Sequence, residues 1–287
     1  MQESEIYNTD STATEPNQSA AYLQLSSDKH LCKLSGQTWA QQSANFCDWL
    51  QQEGPHQNKG QYTARFTHSK ARYRFAKVAD CERYCIREYD DLHTVWLSLN
   101  ARAKADTGLW YDPLDHYDGF QSGAVSKALR RCIPSDDYVG VSLHSPRQTG
   151  YTHRHVALWI DGTVAQDDFQ AFINSFVRNH PTARESDNSP EKAIRVNRVT
   201  GNDLSHLPEG ADSETEAQRG RTTALPREIA SNLPAMQVDN DLQQAPCHVR
   251  LWASLLWATD KRAWQPLGGY GGSRLDEYAS RERMDRR

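Results

Sequence analysis

Apolar positions along the chain change period several times, and each change marks an element. Val95, Leu97 and Leu99 alternate with Trp96 and Ser98, which predicts a strand over 94–100 with one apolar face. Val139, Val141 and Leu143 predict a second strand over 138–143, and YTHRHVALWI at 151–160 a third, closed by an Asp161-Gly162 turn. The second and third strands are close enough to form a hairpin. The period then lengthens: Phe169, Phe172, Ile173, Phe176 and Val177 form one helical stripe. Helices are also expected over 71–90, with Tyr73, Lys77, Cys81, Tyr84, Cys85 and Glu88 along one face, over 123–132, and around Val249, Trp252, Leu256 and Trp257. Residues 194–199 alternate weakly, as an edge strand would. This order predicts an α+β fold, an antiparallel sheet carrying a His-x-His strand and covered by helices, rather than a doubly wound parallel sheet.

Composition adds organisation. With tyrosines excluded and glycines included, about 38% of the 287 residues are apolar, below the roughly 45–50% of ordinary globular chains. Two polar stretches explain the shortfall: residues 1–28, expected to be a disordered tail, and 200–223, expected to be an insertion or linker. The expected domain covers 29–199, with 224–287 adding a helical part and a mobile tail. The longest apolar run, Leu251 to Ala258, is interrupted by Ser254 and falls short of the ~20 residues a membrane crossing needs. MQESEIYNTD at the start does not resemble a secretory signal, and six scattered cysteines suit free thiols, so a cytoplasmic location is expected.

Charge is nearly balanced, with 33 basic and 37 acidic side chains, arginine dominating the basic set. The average hides a local excess. QYTARFTHSKARYRFAKVA at 61–79 carries Arg65, Lys70, Arg72, Arg74 and Lys77 with no acid, interleaved with Tyr62, Phe66, Tyr73 and Phe75. Cations for phosphates and rings for bases are what single-stranded nucleic acid requires; a solvated helix with its rings in the core is the plainer alternative. Arg130-Arg131 and residues 281–287 are further positive patches.

His153-Arg154-His155 is the most informative tripeptide. On a strand both imidazoles project from one face and Arg154 from the other, so the pair can share one divalent ion. Two ordinary polar residues at a strand entrance would read the same way. Cys81 and Cys85, one helical turn apart, form a weaker metal candidate with His93 or Cys132, and buried thiols explain them more simply. No Walker-type phosphate loop is present.

GYTHRHVALWIDG, with LHTVWLSLNAR at 92–102 and LWASLLWATDKRAW at 251–264, resembles the replication initiators of haloarchaeal plasmids and pleomorphic viruses. These belong to the HUH endonuclease superfamily, and the resemblance runs from about Arg72 to Trp264. It implies a Rep protein of a small replicon that binds single-stranded or melted origin DNA and works with the host replication machinery. It also implies a divalent metal, Mn or Mg, on His153 and His155, and a helix-borne tyrosine that nicks and rejoins DNA by transesterification.

The sequence departs from that pattern at two places. Where relatives carry an acidic third ligand, this chain has Ser145, and its neighbour His144 should face the other way. Where they carry the aromatic hydroxyls, LPREIASNLP places Glu228 and Asn232. Glutamate forms no phosphotyrosine. Either the chain binds origin DNA without nicking it, or another tyrosine serves. Tyr278, in a Tyr-x-x-Arg pattern on an expected terminal helix, is the candidate, with an exposed tail position as its plainer reading; Tyr270 lies in a Gly-rich turn. A metal-dependent hydrolase of unrelated substrate is a third reading.

Overall fold

A computed structural model describes residues 41, 44–46, 48, 68–133, 137–205, 221–233, 245–259, 261–269 and 272–284. The expected tail at 1–28 and most of the expected linker (206–220) lie outside these residues, as do Arg65 and Tyr270.

Five antiparallel strands form one sheet: β1 (Leu92–Leu99), β2 (Tyr138–Pro146), β3 (Thr152–Asp161), β4 (Ile194–Arg198) and β5 (Trp264–Leu267), in spatial order β4-β1-β3-β2-β5. The α+β fold expected from the sequence is present, with β2 and β3 as the hairpin and β4 at an edge. Gly150 closes the hairpin turn at φ +81°, a backbone region that favours glycine. At Gly140 a Cβ would meet the Ala157 carbonyl oxygen at 2.4 Å, so β2 can pack there only without a side chain.

The helices are α1 (His68–Glu88), α2 (Pro113–Gly119), α3 (Gly123–Cys132), α4 (Gln170–Asn179), α5 (Pro190–Ala193), α6 (Leu225–Ser231), α7 (Cys247–Thr259) and α8 (Arg274–Met284). Strand alternation divides the core in two. Val95, Leu97, Val156, Leu158 and Ile160 face α3 and α4 through Val125, Leu129, Phe172 and Phe176. Trp96, Val141, Leu143, Ala157 and Trp159 face α1, α6 and α8 through Val78, Cys81, Ile229 and Ala279. Cys81 and Cys85 therefore lie across the sheet from Cys132, and Cys81, Cys85, Cys132 and Cys247 are free thiols.

β5 was not apparent in the pattern. It has four residues, one of them Pro266, and survives at the sheet edge, where the donor that proline lacks is tolerated. Of the α1 stripe, Cys81, Tyr84 and Cys85 are buried and Lys77 is half-buried, whereas Glu88 is exposed and Tyr73 is 47% exposed, with the Lys70 and Lys77 ammonium groups 4.7 and 4.9 Å from its ring centroid. Ala71 and Val78 are buried as well. Among the described residues no helix is long and apolar enough to cross a membrane.

Candidate functional site

Alternation along β3 puts His153 and His155 on the face covered by α1, α6 and α8, and Arg154 on the other. Register fixes their neighbours: His153 is opposite Ser145 of β2, and His155 stands between Leu143 of β2 and Ser98 of β1. The ring centroids are 4.6 Å apart, with the planes at 70°. His155 stacks on Trp96 at 4.7 Å, and its Nδ1 lies 3.1 Å from Ser98 Oγ. When Nδ1–H donates to Ser98, Nε2 presents its lone pair, the tautomer that metal ligation uses.

Both Nε2 atoms are buried without a hydrogen-bond partner. Buried polar atoms are normally satisfied, so two adjacent orphans aimed from one strand face are informative. Burial, then the nearby Arg147 guanidinium, lowers the His153 pKa to about 4. Burial first, then His153, Arg147 and Arg195, holds His155 well below its ordinary value, and a small opposing effect comes from the Asn232 side chain, which does not reach Nε2 as a hydrogen-bond partner. Both rings are neutral at pH 7, as ligands must be. The pair supplies two neutral imidazole nitrogens, the donor type that a divalent transition metal takes, and fewer than a complete ligand set. Among the described residues no group of three His, Cys, Asp or Glu side chains supplies a third ligand.

The residues at the positions where relatives carry an acid confirm that gap. The Ser145 hydroxyl donates to the Asn232 carbonyl. His144 faces the opposite side of the sheet, stacked on Tyr117 at 4.7 Å, with Nε2 3.0 Å from Gln121 Nε2. The α6 segment does overlie the histidines. Its start is held by buried Glu82, which accepts hydrogen bonds from Trp159 Nε1 at 2.8 Å and from Thr223 N at 2.8 Å and Oγ1 at 2.7 Å. Midway along it, Glu228 pairs with Arg195 of β4. Its end brings Asn232 over Ser145 and His155.

Tyr278 does not join them. It is buried on α8, 4.3 Å from the Tyr84 ring, and its hydroxyl lies 3.2 Å from Asp137 Oδ1. Asp137 precedes β2 at the end opposite the histidines. It lies six positions before Leu143, the partner of His155, or about 20 Å away at ~3.3 Å per residue. The expected nucleophile is thus held away from the imidazoles by packing, and its pKa is raised, chiefly by burial.

Cations do approach. Arg147, in the β2–β3 turn, is held by Asn100 Oδ1. Arg195 lies 6.0 Å from the Trp96 ring centroid. The start of α1 reaches the same region: Ala71 packs with Leu233 and Trp264, and the Arg74 guanidinium lies 5.3 Å from the Trp264 ring. Arg72 is exposed and Lys70 half-buried, whereas Lys77 is turned towards α8 and pairs with Asp276. The sequence reading missed Ser98, Trp96, Arg147 and Arg195 as neighbours of the pair. The β1–β3 register would have found the first two; the arginines carry no local signal.

The family described as "Putative rep protein (DUF1424)" matches residues 51–280. A 36 kDa protein of Halobacterium salinarum is 25% identical over 214 residues, covering 71% of this chain and 63% of the relative. A 36 kDa protein of Halobacterium sp. (strain GN101) is 25% identical over 221 residues, with the same two shares. The chain thus spans less than two thirds of the length of these relatives. No solved structure matches it.

Proposed function

The chain belongs to the Rep-like family whose match spans residues 51–280, and from that premise we propose that it binds single-stranded or melted origin DNA of a small plasmid or virus across the histidine face, for use by the host replication machinery. The observation that carries this reading is the pair of buried, unpartnered Nε2 atoms of His153 and His155, set between Arg147 and Arg195. A divalent ion held there, Mn or Mg, with imidazole favouring Mn, would supply Lewis-acid polarisation of a phosphate oxygen. The chain's own residues do the rest. Arg147 and Arg195 draw phosphates to the pair, Lys70, Arg72 and Arg74 extend the cationic path along the start of α1, and exposed Tyr73 offers a ring for a base.

Binding is the part this geometry supports best. Nicking and rejoining of DNA in the HUH manner needs a tyrosine at the pair, and Tyr278 is about 20 Å away along β2. Origin binding without strand transfer is therefore the reading we favour over a nickase. The test uses full-length protein, an origin oligonucleotide and Mn²⁺. We expect no covalent adduct in a denaturing gel, and salt-sensitive binding weakened by Arg72→Ala and Arg74→Ala, with the log–log salt slope falling by about 0.7 per lost contact. Mn²⁺ at 100 times its Kd should stabilise the fold by about 2.7 kcal/mol, an effect lost in His153→Ala. An adduct would restore the nickase. Mn²⁺ binding without DNA binding would point to a hydrolase of another substrate, and absence of both an adduct and DNA binding would sink the nucleic-acid reading.

A further inference from the structure

Between His153 and His155, Arg154 turns to the opposite face and is only 4% exposed. Its Nε donates to Ser142 Oγ at 2.8 Å and its Nη1 to the Phe120 carbonyl at 2.5 Å. Both acceptors are neutral. Nη2 has no hydrogen-bond partner among the described residues, and no carboxylate there pairs with the guanidinium. The other deeply buried arginine, Arg83, shows the usual arrangement, with Asp80 at 3.2 Å. A guanidinium carries its charge at neutral pH. A buried charge without a counter-charge is costly, and proteins seldom keep one.

Arg154 lines a cleft of about 330 Å³ between α3 and β5. Exposed Arg130 stands at the rim, Ser126 and Gln265 add polar groups, and Leu129 and Leu267 form apolar walls. Among the described residues no Asp or Glu lines it. Asp137, just before β2, is engaged by Arg274 and by the hydroxyls of Tyr89 and Tyr278. We propose that this cleft is a phosphate-binding site, separate from the histidine pair, with Arg154 as its buried anchor and Arg130 as its rim contact. The ligand class is a phosphate group, carried either by a nucleic-acid backbone or by a free nucleotide. One cation at the base and one at the mouth suit an anion that enters partway, and the apolar walls suit the sugar or base attached to it.

Inorganic phosphate is the first probe, titrated into the full chain at constant ionic strength set with chloride and followed by calorimetry. Saturable binding is expected, weakened at least about tenfold by Arg130→Glu and abolished by Arg154→Gln. Arg130 is exposed, so its variant keeps the test valid even if Arg154→Gln fails to fold. Competition by a short single-stranded oligonucleotide would identify the backbone as the source, and competition by dAMP alone a free nucleotide. Phosphate binding that is absent, or unchanged by Arg130→Glu, overturns the proposal. His153→Ala should leave phosphate binding here intact, so failure of the histidine reading and failure of this one are told apart.

Discussion

One strand presents different groups on its two faces. Towards α1, α6 and α8, β3 presents neutral imidazoles with unused Nε2 atoms among cations; towards α3 and α4 it presents a charged guanidinium with only neutral acceptors. On the histidine face Glu228 is committed to Arg195, in a chain whose net charge is −4. Carboxylates gather at the end of the sheet opposite the histidines, where Asp91 takes Arg198 and Thr163, and Asp137 takes Arg274 and Tyr278. Near the histidine end, Asp187 and Asp106 are committed to Arg102 and Arg184. A net charge thus says little about where an anion binds; the disposition of paired and unpaired groups along a strand says more.

The contrast can be broken from the core outwards. Trp159→Ala beneath α1 and Phe172→Ala on the inner face of α4 each empty a fully buried site and should cost about 3–5 kcal/mol in urea unfolding. Their side effects should differ. Trp159→Ala also removes a donor to Glu82, the residue that holds the start of α6, so it should weaken DNA and Mn²⁺ binding at the histidines in protein that remains folded. Phe172→Ala should leave both intact. Equal effects on binding would mean that α6 is not what organises the histidine face.

Acid should come next in size. Buried His180, whose ring lies 4.7 Å from Phe120 and whose Nε2 is 2.9 Å from the His116 carbonyl, has its pKa lowered to about 4, chiefly by burial. The unfolded chain, near 6.5, takes up that proton first as pH falls. The stability His180 confers as a neutral ring is therefore complete above about pH 6.5, is lost between there and pH 4, and amounts to a few kcal/mol. Buried His116 and His144 shift the same way and steepen the loss. A pH series of thermal melts on wild type and His180→Gln checks this; the variant should show the shallower decline.

The smallest effect is the sharpest about function. Tyr278→Phe removes only a hydroxyl that binds Asp137 and should cost about 0.5–1.5 kcal/mol of stability with DNA binding unchanged. Loss of a DNA-dependent activity at intact stability would return Tyr278 to the mechanism.

Much of this was legible locally. The β1, β2 and β3 patterns and the α1 and α4 stripes follow from period alone, because a half-buried element must repeat its apolar side at its own pitch. The same rule placed His153 and His155 together, and His144 away from Ser145. β5 was not legible: Trp264–Leu267 is short and contains proline, and only pairing with β2 makes it a strand. Nor was the spacing between Tyr278 and the histidines, since α8 could have met the sheet at either end until Tyr84, Tyr89 and Asp137 fixed it.

The sequence by itself determined the fold class, the shared face of the two imidazoles and the cationic start of α1, because each depends on neighbours within a few residues. Tertiary structure alone decided which partners those groups meet. It set Ser98 beside His155, Asn232 over Ser145, and Tyr278 at the far end, and it left Arg154 buried without an acid. Such contacts join residues tens of positions apart or more, and their geometry is fixed by register and helix packing, which no local pattern encodes.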